Sequence, residues 1–144
     1  MTVKNKIVDE IKFLFDKDVN ADNLSIDQLE MIFEGLLCGI DTIDLFEDGL
    51  YNPDQMNEII DGIRKGIDIT YILYNKYNYL QMKIIKDTLC DNIDPEPMLS
   101  DVFDWDQMYQ IRLGLLNNID VTYYNDPSIN VTDMIKIRKQ LQGV

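Results

Sequence analysis

A chain of 144 residues with a formal net charge of −13 and 46% hydrophobic residues holds enough apolar material for one domain-sized core. It contains no histidine, which removes Ser–His and Cys–His nucleophilic systems, imidazole metal sites and the commonest general base. A basic footprint is absent too, so direct contact with nucleic acid is not expected.

The opening residues lack the apolar core and cleavage site of a signal peptide. No apolar run is long enough for a membrane span. Cys38 and Cys90 occupy non-equivalent positions and read as free thiols of a reducing compartment, so the expected location is the cytoplasm. Residues 2–20 read as an opening helix, with Val8, Ile11, Phe15 and Val19 on one stripe and lysines and acids on the other.

From there a sentence of about 26 residues repeats. Its Leu or Met anchors fall at Leu29, Met56, Met82, Met108 and Met134, spaced 27, 26, 26 and 26. A fixed period in this range marks a stacked helical repeat. Three residues after each anchor stands Ile32, Ile59, Ile85, Ile111 or Ile137, and seven after it Leu36, Ile63, Leu89, Leu115 or Leu141. Spacing of three and four is a helical stripe. Four residues before each anchor stands Ser25, Asn52, Asn78, Asp104 or Asn130, all good N-caps. Gln28, Gln55, Gln81 and Gln107 follow three residues later and complete capping boxes, whereas Asp133 is too short for one.

Each long helix is expected to cover about 13 residues and to end at Gly39, Gly66, Asn92 or Asn118, the two residue types that most cheaply turn left-handed. Asp41, Asp68, Asp94 and Asp120 come next. Four equivalent acids suggest a metal site, but each opens a short segment and is better read as the N-cap of a second, short helix. The stretch Asp44–Gly49 fails the calcium-loop pattern, so neither a metal nor another cofactor is expected. Gly35, Gly62 and Gly114 sit inside the long helices six residues past the anchor, where a small residue lets a neighbour approach. The expected architecture is all-α: a short α-solenoid of about five helical repeats in a single domain. Residues 1–23 form its N-terminal cap, 24–50, 51–76, 77–102 and 103–128 the repeats, and 129–144 the closing helix.

Charge is unevenly spread. Between Lys17 and Arg64 lie twelve acids and no Lys or Arg. Glu34, Asp61 and Asp87 share one position five past the anchor, so neighbouring repeats should line them up as an acidic column. Glu30 and Glu58 sit beside it, with Asp44, Glu47 and Asp48 at the rim. A row of carboxylates can compete for a Lys/Arg groove that normally holds phosphates. The aromatic residues read as staples and short-helix residues, with Tyr71, Tyr74, Tyr123 and Tyr124 as the lining of an apolar groove.

The stretch from Phe103 to Pro127 (Asp-Gln-Met, then Ile-Arg-Leu-Gly-Leu, then Ile-Asp-Val and Tyr-Tyr) resembles short α-helical repeats in accessory proteins of Firmicutes phages and mobile elements. The likeness covers residues 24–142 and is weaker in the third repeat, at Thr88 and Asp94–Pro97. It implies a mobile-element protein in a bacterial host and no known catalytic role. The expected function is that of a non-catalytic, protein-binding inhibitor of anti-defence or anti-CRISPR type. Its acidic face would occupy the surface of a basic nucleic-acid-binding host protein. The alternative is a helical scaffold that binds a peptide or partner helix through the apolar groove, with self-association left open.

Overall fold

A computed structural model describes residues 1–143. Among them are seven α-helices and no strand, and contacts run between helices that follow one another in the chain. The helices are α1 (Val3–Phe15), α2 (Ile26–Leu37), α3 (Thr42–Phe46), α4 (Pro53–Arg64), α5 (Tyr79–Cys90), α6 (Trp105–Leu116) and α7 (Val131–Gln142). Single 3₁₀ turns stand at Ile69–Tyr71, Glu96–Met98 and Val121–Tyr123. The chain divides into two compact units, Met1–Asp61 and Gly62–Val144.

Each long helix starts where its cap dictates. The Ser25 hydroxyl accepts from the Gln28 N–H at 3.1 Å while the Gln28 side chain accepts from the Ser25 N–H at 2.8 Å. The same reciprocal pair joins Asn52 to Gln55, Asn78 to Gln81 and Asp104 to Gln107. Asn130 accepts from the Asp133 N–H at 2.9 Å. The ends follow the rule for a left-handed stop. Gly39, Gly66, Asn92 and Asn118 have φ of 80°, 74°, 57° and 54°. The N–H of the next residue, Ile40, Ile67, Ile93 or Ile119, reaches back to the carbonyl of Gly35, Gly62, Thr88 or Gly114. This is the 6→1 bond of a Schellman motif.

In the first unit α1 packs on α2 and α2 on α3, over a core in which Ile11, Leu29, Ile32, Met56 and Ile59 are fully buried. In the second unit α5 packs on α6 and α6 on α7, with Met82, Ile85, Met108, Ile111 and Met134 fully buried. The small residue inside the helix serves the short segment behind it. A Cβ on Gly35 would overlap the Thr42 side chain, and one on Gly114 would lie 2.7 Å from Val121 Cγ1 and run into the Tyr124 hydroxyl.

Four expectations are corrected. The opening helix stops at Phe15, not at residue 20, because Asp16 turns left-handed (φ 53°) and its N–H closes on the Lys12 carbonyl. Val19 is still buried, from outside the helix. Three of the four short helices are single 3₁₀ turns. Asp68, Asp94 and Asp120 do accept from the backbone N–H two residues on, but Asp41 makes no side-chain cap. Tyr124 lines no groove: it is fully buried and its hydroxyl donates to the Gln110 carbonyl at 2.7 Å.

Candidate protein-interaction surface

The two units differ sharply in charge. The first carries fifteen acids against four lysines, a net −11, and the second eleven acids against nine Lys and Arg, a net −2. Nearly all of the protein's excess charge is thus held by the first unit.

Two features of that unit present it. On α2, Asp27, Glu30 and Glu34 are all exposed and stand three and four residues apart, so they form one stripe on the side opposite the buried Leu29, Ile32 and Leu36. The helix contains no basic residue. Like charges at these spacings destabilise a helix by a few tenths of a kcal/mol per pair. Glu34 also sits in the last turn, where the helix dipole disfavours an anion. Asp27 stands in the first turn, where the helix dipole favours an acid, so helix stability accounts for Asp27 but not for Glu34 or for the repulsion along the stripe.

The second feature is a shallow, open hollow of about 410 Å³ lined by Asn20, Asn23, Ile43, Asp44, Glu47 and Asp48. Its walls are firmly set. Gly49, next to Asp48, takes φ 75°, and a Cβ there would strike the Asn23 carbonyl. The Gln28 amide donates to the carbonyls of Gly49, at 3.3 Å, and Tyr51, at 2.7 Å, so the cap of α2 also pins the strap that carries these acids. Asp48 accepts from the Leu50 N–H at 3.0 Å. Among the described residues no Lys or Arg forms an ion pair with Glu30, Glu34, Asp44, Glu47 or Asp48. Of the first unit's four lysines, Lys12 pairs with Asp16 and Asp18 and Lys17 with Asp41.

The other expected site residues lie differently. Glu58 is buried, 8% exposed, and does not belong to an open face. The sequence held a signal for this: the same position reads Met31 and Ile84 in neighbouring repeats, and Ile84 is buried as well. Asp61 is half-buried. Asp87 lies in the second unit, half-buried, with Lys83 Nζ 3.4 Å from its carboxylate. Of the three members of the expected column only Glu34 is exposed. The structure brings together Asp44, Glu47 and Asp48, and separately Glu30 and Glu34.

No family model, curated protein or solved structure matches this chain.

The remaining chemistry is sparse. Among the described residues no three Asp, Glu or Cys side chains converge closely enough to hold a metal ion, and no helix is long and apolar enough to cross a membrane. In the second unit Arg112 meets Asp91 at 2.6 Å and Thr88 at 3.3 Å, and Arg138 meets Gln110 at 3.0 Å. Unexpectedly exposed there are Tyr79, Trp105 and Tyr109, on long helices and not in staples.

Proposed function

We propose that this protein is a non-catalytic inhibitor whose acidic first unit occupies the basic, nucleic-acid-binding surface of a host protein. The observation that carries this is a set of five carboxylates, Glu30, Glu34, Asp44, Glu47 and Asp48, that reach the surface without a cationic partner in a unit of net −11. A surface that only solubilises has no need to segregate its charge or to accept like-charge repulsion along a helix. Along α2 the stripe spaces its charges by roughly 4.5–6 Å at 1.5 Å per residue. A single nucleic-acid strand carries one charge per about 3.4 Å of helix axis, which is the same order. Such a face steers a basic partner at low ionic strength and displaces the counterions or phosphates that partner would hold.

The repeating caps, stops and 26-residue anchor spacing support a short α-solenoid of about five repeats as the scaffold behind this face. The resemblance to repeats of phage and mobile-element accessory proteins supports an anti-defence role, of anti-CRISPR type, in the bacterial cytoplasm.

The test is a pull-down from nuclease-treated low-GC bacterial lysate with the wild type and with a variant carrying E30Q, E34Q, D44N, E47Q and D48N. The expected catch is a nucleic-acid-handling protein, released by a moderate salt step, displaced by added DNA and lost from the variant. A partner that the variant holds equally well through about 1 M salt, where screening reaches 3 Å, would refute the acidic face as the interface.

A further inference from the structure

The second unit leaves apolar side chains in water at the start of α6. Val102, Trp105 and Tyr109 are 68%, 44% and 43% exposed. Trp105 and Tyr109 are four residues apart on α6, so their rings lie on one side of it, about 6 Å apart along the axis. Val102 comes two residues before the N-cap Asp104. The strap that carries Val102 is fixed in place, because the Gln81 amide donates to the carbonyls of Asp101 and Phe103 on either side of it. Trp and Tyr are enriched among the residues that dominate binding energy at interfaces.

The charge around these rings has one sign. Between Lys86 and Arg112 the chain carries seven acids and no Lys or Arg. Of these, Asp87 meets Lys83 and Asp91 meets Arg112. The other five, Asp94, Glu96, Asp101, Asp104 and Asp106, form no ion pair with a Lys or Arg among the described residues. Three of them are interleaved with the apolar side chains: Asp101 and Asp104 flank Val102, and Asp104 and Asp106 flank Trp105. Asp106 also stands three residues before Tyr109 on the same helix. Glu96 adds to this field. Burial raises the Tyr77 hydroxyl, and the charge of Asp101, the neighbouring Tyr74 and the charge of Glu96 raise it further. The fold accounts for two of the acids, since Asp104 caps α6 and Asp106 stands in its first turn, where the dipole favours an anion. It does not account for Trp and Tyr rings left in water beside them.

We propose that this face seats a basic amphipathic helix of a partner protein. Lys or Arg side chains of the guest lie over the Trp105 and Tyr109 rings and meet Asp101 and Asp106, while its apolar residues cover Val102. An aromatic face attracts such a cation within about 6 Å of the ring centre. Guest cations one turn apart, about 5.4 Å, match the spacing of the two rings. Charge selects this occupant. An acidic guest is repelled, as is a second copy of this chain at net −13. A wholly apolar guest would strip water from the carboxylates and give them no partner. The site lies within the second unit and does not rest on the acidic face proposed above, so its failure leaves that reading standing.

The probe is a tryptophan-free amphipathic helical peptide of leucine and lysine. It is titrated into the full chain while the emission of Trp105, the chain's single tryptophan, is followed. A saturable blue shift is expected as the guest takes water from the ring. D101N with D106N is expected to weaken the titration at least about tenfold. Y109A, which leaves every carboxylate in place, is expected to weaken it by a similar factor and tests the aromatic part by itself. E30Q with E34Q, in the first unit, is expected to leave it within about twofold at about 0.15 M salt. Oligolysine and the glutamate-for-lysine peptide are each expected to bind at least about tenfold more weakly than the leucine–lysine peptide.

Far-UV circular dichroism confirms that each variant is folded, and sedimentation velocity reports the state of the chain without peptide. Any one of five results would overturn the proposal. The peptide gives no Trp105 shift, or the folded D101N/D106N or Y109A variant binds as tightly as the wild type. E30Q with E34Q costs as much as D101N with D106N, which would make the binding one of overall charge. Oligolysine or the glutamate peptide binds equally well. The chain without peptide self-associates with the same Trp105 shift, which would make a second copy the occupant.

Discussion

Gln107 is only 6% exposed and makes three hydrogen bonds at once. Its side-chain oxygen accepts from the Asp104 N–H at 3.0 Å, and its amide donates to the carbonyls of Pro127 at 3.0 Å and Ile129 at 2.8 Å. It therefore closes the start of α6 and fixes the strap that leads into α7. At about 1 kcal/mol net per hydrogen bond, Gln107→Ala is expected to cost about 3 kcal/mol, since two carbonyls and one N–H lose their partner in a half-dry site. Gln107→Glu is the sharper probe. It keeps the acceptor but places a carboxylate against two carbonyl oxygens, so only its protonated form can donate. Its folded-state pKa must then lie above the unfolded value of about 4.3. The protonated form's stability is fully present below that unfolded value and is lost as pH rises through the raised folded value. Urea unfolding followed by far-UV circular dichroism at pH 4 and pH 7 measures both effects, with Gln140→Ala on the exposed side of α7 as a control expected to stay within about 0.5 kcal/mol. A loss below about 1 kcal/mol for Gln107→Ala, or a Gln107→Glu penalty independent of pH, would refute the two-ended clamp.

Three further outcomes are expected. The Tyr124 hydroxyl is pushed up to about 12 by burial, against the partial relief of Arg138 and a backbone hydrogen bond. Stability from the neutral phenol is complete below pH 10 and erodes as pH rises toward 12, by roughly 2–3 kcal/mol. Tyr124→Phe should lose about 1 kcal/mol at neutral pH with the Gln110 bond, yet unfold less steeply in alkali, as thermal melts from pH 8 to 12 would show. Gly35→Ala gains helix propensity of about 1 kcal/mol but drives a methyl into the Thr42 side chain. Thr42 is anchored to the Ile32 carbonyl at 2.6 Å, so a net loss of about 1–3 kcal/mol is expected in chemical denaturation. The pair E30Q and E34Q removes like-charge repulsion on α2 and should leave the protein equally or slightly more stable in the melt while weakening capture of the basic target; lost stability would mean these acids serve the fold.

Local rules were legible in the sequence wherever a residue acts on its own backbone. Ser25, Asn52, Asn78, Asp104 and Asn130 stand where their helices begin, and Gly39, Gly66, Asn92 and Asn118 where helices end, because caps and left-handed stops depend on residues within one turn. The sequence was less informative where a side chain acts across the chain. The capping glutamines could be read as caps, but their second set of bonds, to carbonyls 20–23 residues downstream, left no trace in local spacing. Asp16 ended α1 early because an Asp tolerates the left-handed region. The acidic face was visible as composition. Which acids reach solvent was not, since Glu34, Asp61 and Asp87 share one position and differ in burial and in cationic neighbours.

The glutamine clamp also bears on how the chain finds its shape. Each clamp joins groups only 20–23 residues apart, and the neighbouring Arg112 and Arg138 bridges reach 21–28 residues. Every such closure spans a short loop of nearly the same length, so its entropic cost is small and about equal from one to the next. A chain whose contacts are this local belongs with the fast-folding helical proteins, and no single distant pairing has to form before the rest can follow. Order can start at any one clamp and spread to the adjoining segment in either direction.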